Sequence, residues 1–243
     1  MARISSADVG FLLISGMNVL SDATMIEDEQ EGLIEDTTVL GDSYEQQGYV
    51  GVKRFGISQE GFFNDAANAI NAALVTPGAS KVLSYAPATN TLGARFVSSP
   101  MIIAKYVRQI ARGALTKAKA TYQSEGNHDE GKIVATLAAR GAASNTQATS
   151  LDNAAASSNG CAATLQMTSL SLGGYTNIIV KLQDSADNAS FADIITFTAV
   201  TAAPAAERKT LTGSIRRYLA AAWAYTGSGS DPTATWTLGV ARG

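Results

Sequence analysis

Apolar residues along this chain recur mostly at every second position, the period of a strand with one face buried. Residues 115–123 show the pattern most plainly. Lys117, Lys119 and Thr121 fall on one face, and Ala118, Ala120 and Tyr122 on the other. The turn Glu125-Gly126-Asn127-His128-Asp129-Glu130-Gly131 leads on to residues 132–139, and the two runs predict a hairpin. Residues 11–14 predict a short buried strand, ended by Gly16-Met17-Asn18. Residues 50–58, 81–85 and 94–97 also read as strands. Residues 64–74 predict a short helix, with Ala67, Ile70 and Leu74 at helical spacing and Pro77-Gly78 as its stop. Residues 101–112 fit a helix as well as they fit two short strands.

Composition shifts at residues 141–159, a run of Ala, Ser, Asn and Thr that reads as a linker. Beyond it strand signals return at 162–170, 177–183, 191–200, 207–212, 217–225 and 234–240, with turn-forming clusters between them. Short strands at this spacing predict a β-sandwich, of jelly-roll or Ig-like type. The expected organisation is therefore mainly β, in two domains, 1–145 and 150–243.

Residues 21–48 follow no clear period and read as a long acidic loop, with a helical turn near residues 27–31. A loop of that length in a compact domain is functional or disordered. From residue 1 to 52 the chain has one base, Arg3, among ten acids, whereas from 66 to 124 it has no acid at all. The acidic segment also carries Met25, Ile26, Leu33, Ile34, Val39 and Leu40, more apolar residues than a solvated tail needs. These features predict a segment that docks on another copy, its carboxylates meeting a basic surface. The candidate interface residues are Met25, Ile26, Glu27, Asp28, Glu29, Glu31, Leu33, Ile34, Glu35, Asp36, Leu40, Asp42, Tyr44 and Glu45. The candidate basic complement is Lys105, Arg108, Arg112, Lys117 and Lys119.

Composition narrows the function. With 46% hydrophobic and 16% charged residues the chain is one that folds, and a net charge of −3 argues against a general nucleic-acid binder. No apolar run reaches the roughly 20 residues that span a bilayer. Residues 9–20 are broken by Ser15, Gly16 and Asn18, and Asp8 is misplaced for a signal peptide. The expectation is a soluble chain made in a reducing cytoplasm, since the single Cys161 allows no internal disulfide.

Phosphate-loop, zinc-protease, CxxC and nucleophile-elbow motifs are absent from the sequence, so no enzyme and no cofactor are expected. His128, the only histidine, reads as a solvated turn residue, and Cys161 as a small core residue. Asp184, Asp187 and Asp193 offer the oxygens that calcium takes, but Asp- and Asn-rich turns also arise from side-chain to backbone hydrogen bonds. Asn188-Ala189-Ser190 has the form of a glycosylation sequon that, without a secretory signal, is incidental. Trp223, Tyr225 and Trp236 could stack on a sugar, although their alternation favours core packing.

Several stretches taken in order resemble the major tail tube subunits of long-tailed, non-contractile phages. They are Phe11-Leu-Leu-Ile-Ser-Gly-Met-Asn-Val-Leu-Ser21, Leu40-Gly-Asp-Ser-Tyr-Glu45, Gly51-Val-Lys-Arg54 and Gln59-Glu-Gly-Phe-Phe-Asn-Asp65. Lys117-Ala-Lys-Ala-Thr-Tyr122 and Gly131-Lys-Ile-Val134 continue the likeness, which covers roughly residues 5–140. Residues 181–188, 191–194, 217–223 and 235–240 resemble a C-terminal β-domain common in phage structural proteins. Alanines follow Arg217-Tyr218-Leu219 where that pattern has a bulky apolar residue, which implies thinner packing. The resemblance implies a tail-tube-type β-sandwich or barrel with one short flanking helix and a long acidic loop. It further implies hexameric rings stacked head to tail, with DNA passing through unbound, and tape-measure, terminator and tail-tip proteins as partners. The location implied is the virion tail, assembled in the host cytoplasm, with no membrane. A capsid decoration protein or a carbohydrate-binding tail-tip adhesin is the alternative.

Overall fold

The computed structural model describes residues 9–36, 47–141, 146–147 and 149–243, and for 33–36 and 47–52 the backbone course alone. Leu40, Asp42, Tyr44 and Glu45 lie outside the described residues. The fold is mainly β and antiparallel. β1 (Phe11–Ile14) and β2 (Met17–Asn18) form a tight hairpin, and a 3-10 turn (Leu20–Asp22) leads into β3 (Ala23–Asp36) and β4 (Gln47–Phe62). All four side chains of β1 are buried. Leu12 and Ile14 enter one core while Phe11 and Leu13 enter another, which is why this strand reads as a continuous apolar run.

After β4 come α1 (Ile70–Leu74), β5 (Ser80–Ala86), β6 (Arg95–Gln109), β7 (Lys117–Ser124) and β8 (Asp129–Gly141). The helix is shorter than its sequence signal, because Asn68 adopts a left-handed φ of 62° and the regular turns begin only at Ile70. The ambiguous residues 101–112 lie mostly in one long strand, β6.

The expected hairpin between residues 115–123 and 132–139 does not form. Both strands exist, but β7 and β8 lie end to end along one side of β6. β8 pairs with residues 95–98 of β6, and β7 pairs with residues 101–109. Pro100 falls in the gap between them, and its carbonyl accepts from Glu125 on that side. A missing N–H there breaks no ladder bond. The Ser99 hydroxyl donates to the Asn127 carbonyl and lies 3.2 Å from the Ser124 hydroxyl, holding the connecting turn across β6.

The remaining strands are β9 (Leu151–Asp152), β10 (Cys161–Ser171), β11 (Asn177–Ser185), β12 (Ala192–Thr196), β13 (Ala205–Leu211), β14 (Tyr218–Thr226) and β15 (Thr233–Arg242). β9 falls inside the stretch that reads as a linker. Among the described residues β12-β11-β14-β9 form a four-stranded sheet, and the others join in an eleven-stranded one. The two sheets sandwich Leu165, Met167, Val180, Leu182, Trp223, Trp236 and Leu238. A second core, with Leu12, Ile57, Ile70, Leu74, Met101 and Tyr122, lies beneath β4, β6 and β7. Each large side chain so buried stabilises the fold by roughly 1.5–3 kcal/mol. The large sheet runs across the boundary expected near residue 145, and Val134 and Ala135 of β8 share a core with residues 151–240. β15 pairs with β8 on one side and β10 on the other.

Candidate assembly surface

The acidic segment is where the structure departs most from the sequence reading. Residues 23–36, expected within a long loop, form a strand paired with β4 over its whole length. Its alternation is hidden because the inward positions are largely polar. Ile26 packs against the core, whereas Asp28 and Gln30 satisfy inward-facing polar contacts. Asp28 accepts from the Tyr85 hydroxyl at 2.6 Å. Burial first, and that carboxylate second, push the Tyr85 phenol above its ordinary pKa. Gln30 Nε2 lies 3.1 Å from His128 Nε2, and the His128 ring stacks on Phe55 with centroids 3.9 Å apart. His128 is thus a half-buried contact under the β3–β4 hairpin, with burial lowering its pKa, rather than a solvated turn residue.

The pairing registers of β3, β4, β7 and β6 place four strands side by side, with β3 at one edge. On the outer face β3 presents Met25, Glu27, Glu29 and Glu31, all exposed. β7 presents Lys117 and Lys119 on that face, and both approach Glu60 of β4, at 3.4 and 3.9 Å. Glu31 meets Arg54 at 3.8 Å in an exposed pair, a contact worth less than about 1 kcal/mol. Lys105 and Arg108 lie on β6 beyond its pairing with β5 and β8, and Arg108 sits over the Phe63 ring at 5.8 Å. Arg112 is exposed in the β6–β7 turn.

The acidic residues of β3 and the basic Lys105 and Arg108 of β6 therefore share one sheet but lie on opposite edge strands, with Lys117 and Lys119 on β7 between them. Three interstrand steps of about 4.8 Å put the two edge strands about 14 Å apart, too far for direct pairing within the chain. Both edges are open among the described residues: β3 pairs with β4 alone, and residues 105–109 of β6 pair with β7 alone. Leu33, Ile34, Glu35 and Asp36 continue the β3 edge, where only the backbone register is described.

The other sequence candidates resolve into structural roles. Asp184 is buried and accepts from the Arg216 backbone N–H and guanidinium, each at 2.8 Å. Asp187 accepts from the Ala189 and Ser190 backbone N–H groups, and Asp193 from Lys181 and Gln183. These carboxylates are occupied by donors, and they form no metal cluster among the described residues. Trp223 and Trp236 pack edge to face in the core at 5.6 Å, with Arg140 over Trp236 at 3.9 Å. Buried rings cannot stack on a sugar. Cys161 is buried, which pushes its thiol up to about 11, the wrong direction for a nucleophile at neutral pH.

No family model matches the chain, and no curated protein matches it. Among solved structures it is similar to a protein of the native gene transfer agent virion (14% identity, TM-score 0.42), covering 53% of this chain and 98% of that one. A chain in the tail of the empty gene transfer agent particle, solved with C6 symmetry, shows 17% identity and a TM-score of 0.42 over 52% of this chain and 97% of its own. The Dit protein of phage SPP1, from a hub of the adsorption apparatus, matches at 9% identity and a TM-score of 0.33, covering 95% of this chain and 98% of that chain.

Proposed function

We propose that this chain is a structural subunit of a phage-type tail, and within that class a tail tube subunit that polymerises around a DNA channel. The observation that carries the reading is the four-stranded sheet β3-β4-β7-β6 with two open edges of opposite charge. The β3 edge bears Glu27, Glu29 and Glu31, while the far half of β6 bears Lys105 and Arg108. An unpaired strand edge is a template for another chain, and opposite charges select edge-to-edge pairing of β3 on β6 over β3 on β3. Such a contact is heterologous, and it closes into a ring when the rotation allows. Six copies contributing four strands each would give a barrel of about 24 strands, wider than those that leave an aqueous channel.

The sequence resemblance to tail tube subunits supports the same reading and supplies the sixfold expectation. The outer face of the sheet, away from α1, would turn toward the channel. There Glu60 offsets Lys117 and Lys119, so that the face offers phosphate little net attraction and DNA slides rather than binds. The partners on this reading are further copies of the chain and the tape-measure, terminator and tail-tip proteins. Its place is the virion tail, assembled in the host cytoplasm.

Negative-stain electron microscopy of the purified chain at low and high salt tests the proposal. Sixfold rings or hollow tubes are the expected result. Monomers at every concentration, or discrete oligomers of another symmetry, would overturn it.

A further inference from the structure

A cleft of about 590 Å³ lies between β4, the turn that leads into β8 and the end of β15. That size is within the range of small-molecule sites, roughly 300–1,000 Å³. Its charged lining is Lys53, Asp129, Glu130 and Arg242. Both acids are already taken, Asp129 by Arg208 and Glu130 by Arg95. Lys53 and Arg242 have no ion-pair or hydrogen-bond partner among the described residues. The Arg242 Nε is moreover buried. Buried donors are nearly always paired, and a charged one left over calls for an acceptor. Lys53 reaches the cleft because it stands two positions from Phe55, on the face of β4 that stacks on His128. Arg54 beside it faces the other way, toward Glu31. Arg242 comes from β15, opposite Cys161 of β10.

We infer that this cleft binds a phosphate-type dianion, as the free ion or as a small phosphate monoester, between Lys53 and Arg242. The guanidinium presents a planar fork of donors that fits two phosphate oxygens, and the ammonium adds a second charge. Two cations without partners match the two charges of the ligand. The cleft is larger than a phosphate ion, which leaves room for an esterified group. It opens on the side of the sheet that carries α1, with Phe55 and Ile70 in one core. Lys117 and Lys119 lie on the opposite face, so the site is separate from any path for DNA along that face. A bound ion would tie β4 to β15. This site goes beyond the tail tube reading and does not depend on it.

Isothermal titration calorimetry of the full chain at fixed ionic strength tests this, with inorganic phosphate and glycerol 3-phosphate as probes. Saturable one-to-one binding is expected. Tighter binding of the ester would identify a monoester site, and equal binding a site for the free ion. K53M and R242M are each expected to weaken binding at least about tenfold, because each removes charge-assisted hydrogen bonds. R54M removes the same charge one residue away on the other face, and is expected to bind like the wild type. Lys53 is exposed, so K53M keeps its fold and the test remains decisive even if R242M is unstable; circular dichroism checks both. No saturable binding of either probe would overturn the site. So would equal losses in K53M and R54M, which would reduce the effect to general charge, or full affinity in K53M.

Discussion

Arg208 on β13 grips Asp129 at the start of β8 with a two-point contact, its Nη2 donating to Oδ1 at 2.9 Å and its Nε to Oδ2. The side chains are 18% and 11% exposed, so this pair lies between an exposed ion pair and a buried one. It joins residues from either side of the 141–159 stretch. Removing one partner leaves the other charge poorly solvated, so Arg208→Ala is expected to destabilise the fold by about 2 kcal/mol. In a chain of this size that lowers the midpoint of thermal unfolding by about 4–8 °C. A double-mutant cycle with Asp129→Asn checks it, and additive effects would deny the coupling.

Gln166 makes a second link between the segments. Its side-chain oxygen accepts from the Gly16 backbone N–H at 2.6 Å, and its nitrogen donates to the Val82 carbonyl and the Ser84 hydroxyl, each at 2.9 Å. All of this is buried, so Gln166→Leu strands several polar groups and is expected to cost about 2–3 kcal/mol. Gly16→Ala is expected to be worse. Gly16 has a φ of +84°, and an added Cβ would lie 2.4 Å from the Met167 carbonyl oxygen and 2.5 Å from the Ala205 nitrogen. Chemical denaturation of the two variants measures both, and equal stabilities would contradict the steric account.

Strand existence was readable where one face was apolar throughout. β1, β5, β10, β11 and β14 sit within a residue or two of their sequence signals, because Phe11, Leu83, Leu165, Val180 and Trp223 all point into a core. β3 was not readable, because its inward positions include Asp28 and Gln30, whose partners Tyr85 and His128 are distant in sequence. Strand pairing was less legible still. Nothing local in Lys117–Ser124 says that β6 rather than β8 will lie beside it; that depends on Pro100 and Ser99, in another strand. The acidic and basic sets were legible as charge, but the placing of the β3 acids and of Lys105 and Arg108 on opposite edge strands follows only from the registers.

β15 also predicts how a shortened chain behaves. It covers the edge of β8, and Val134 and Ala135 of β8 are buried in the core shared with residues 161–240. A chain ending at Gly141 would expose that edge and that apolar face together, a combination that promotes aggregation. Its yield of monomer in gel filtration is expected to fall well below that of the full chain. A monodisperse, cooperatively folded 1–141 fragment would instead mean that the first core is sufficient without the cover of β15.

Two carboxylates make opposite predictions for Arg217 and for calcium. Asp152 on β9 is held at about 2, chiefly by the hydrogen bonds from Arg217 and then by the Ala154 backbone N–H. Asp187 is also held at about 2, by the backbone N–H groups of Ser190 and Ala189 and by the Ser185 hydroxyl. Both lie below the ordinary carboxylate value of about 3.9. A depressed folded-state pKa adds stability that is complete above the unfolded value and is lost as pH falls from about 4 through about 2. Arg217→Gln is expected to return Asp152 toward its ordinary value and to leave Asp187 unchanged, as read by carboxyl carbon shifts during an acid titration. Millimolar calcium should move neither, since the oxygens of Asp184, Asp187 and Asp193 already accept from Arg216, from the turn N–H groups and from Lys181. A calcium-induced shift at Asp187 would show that the turn opens to bind the ion, and would reinstate the cation site that the aspartate spacing suggests.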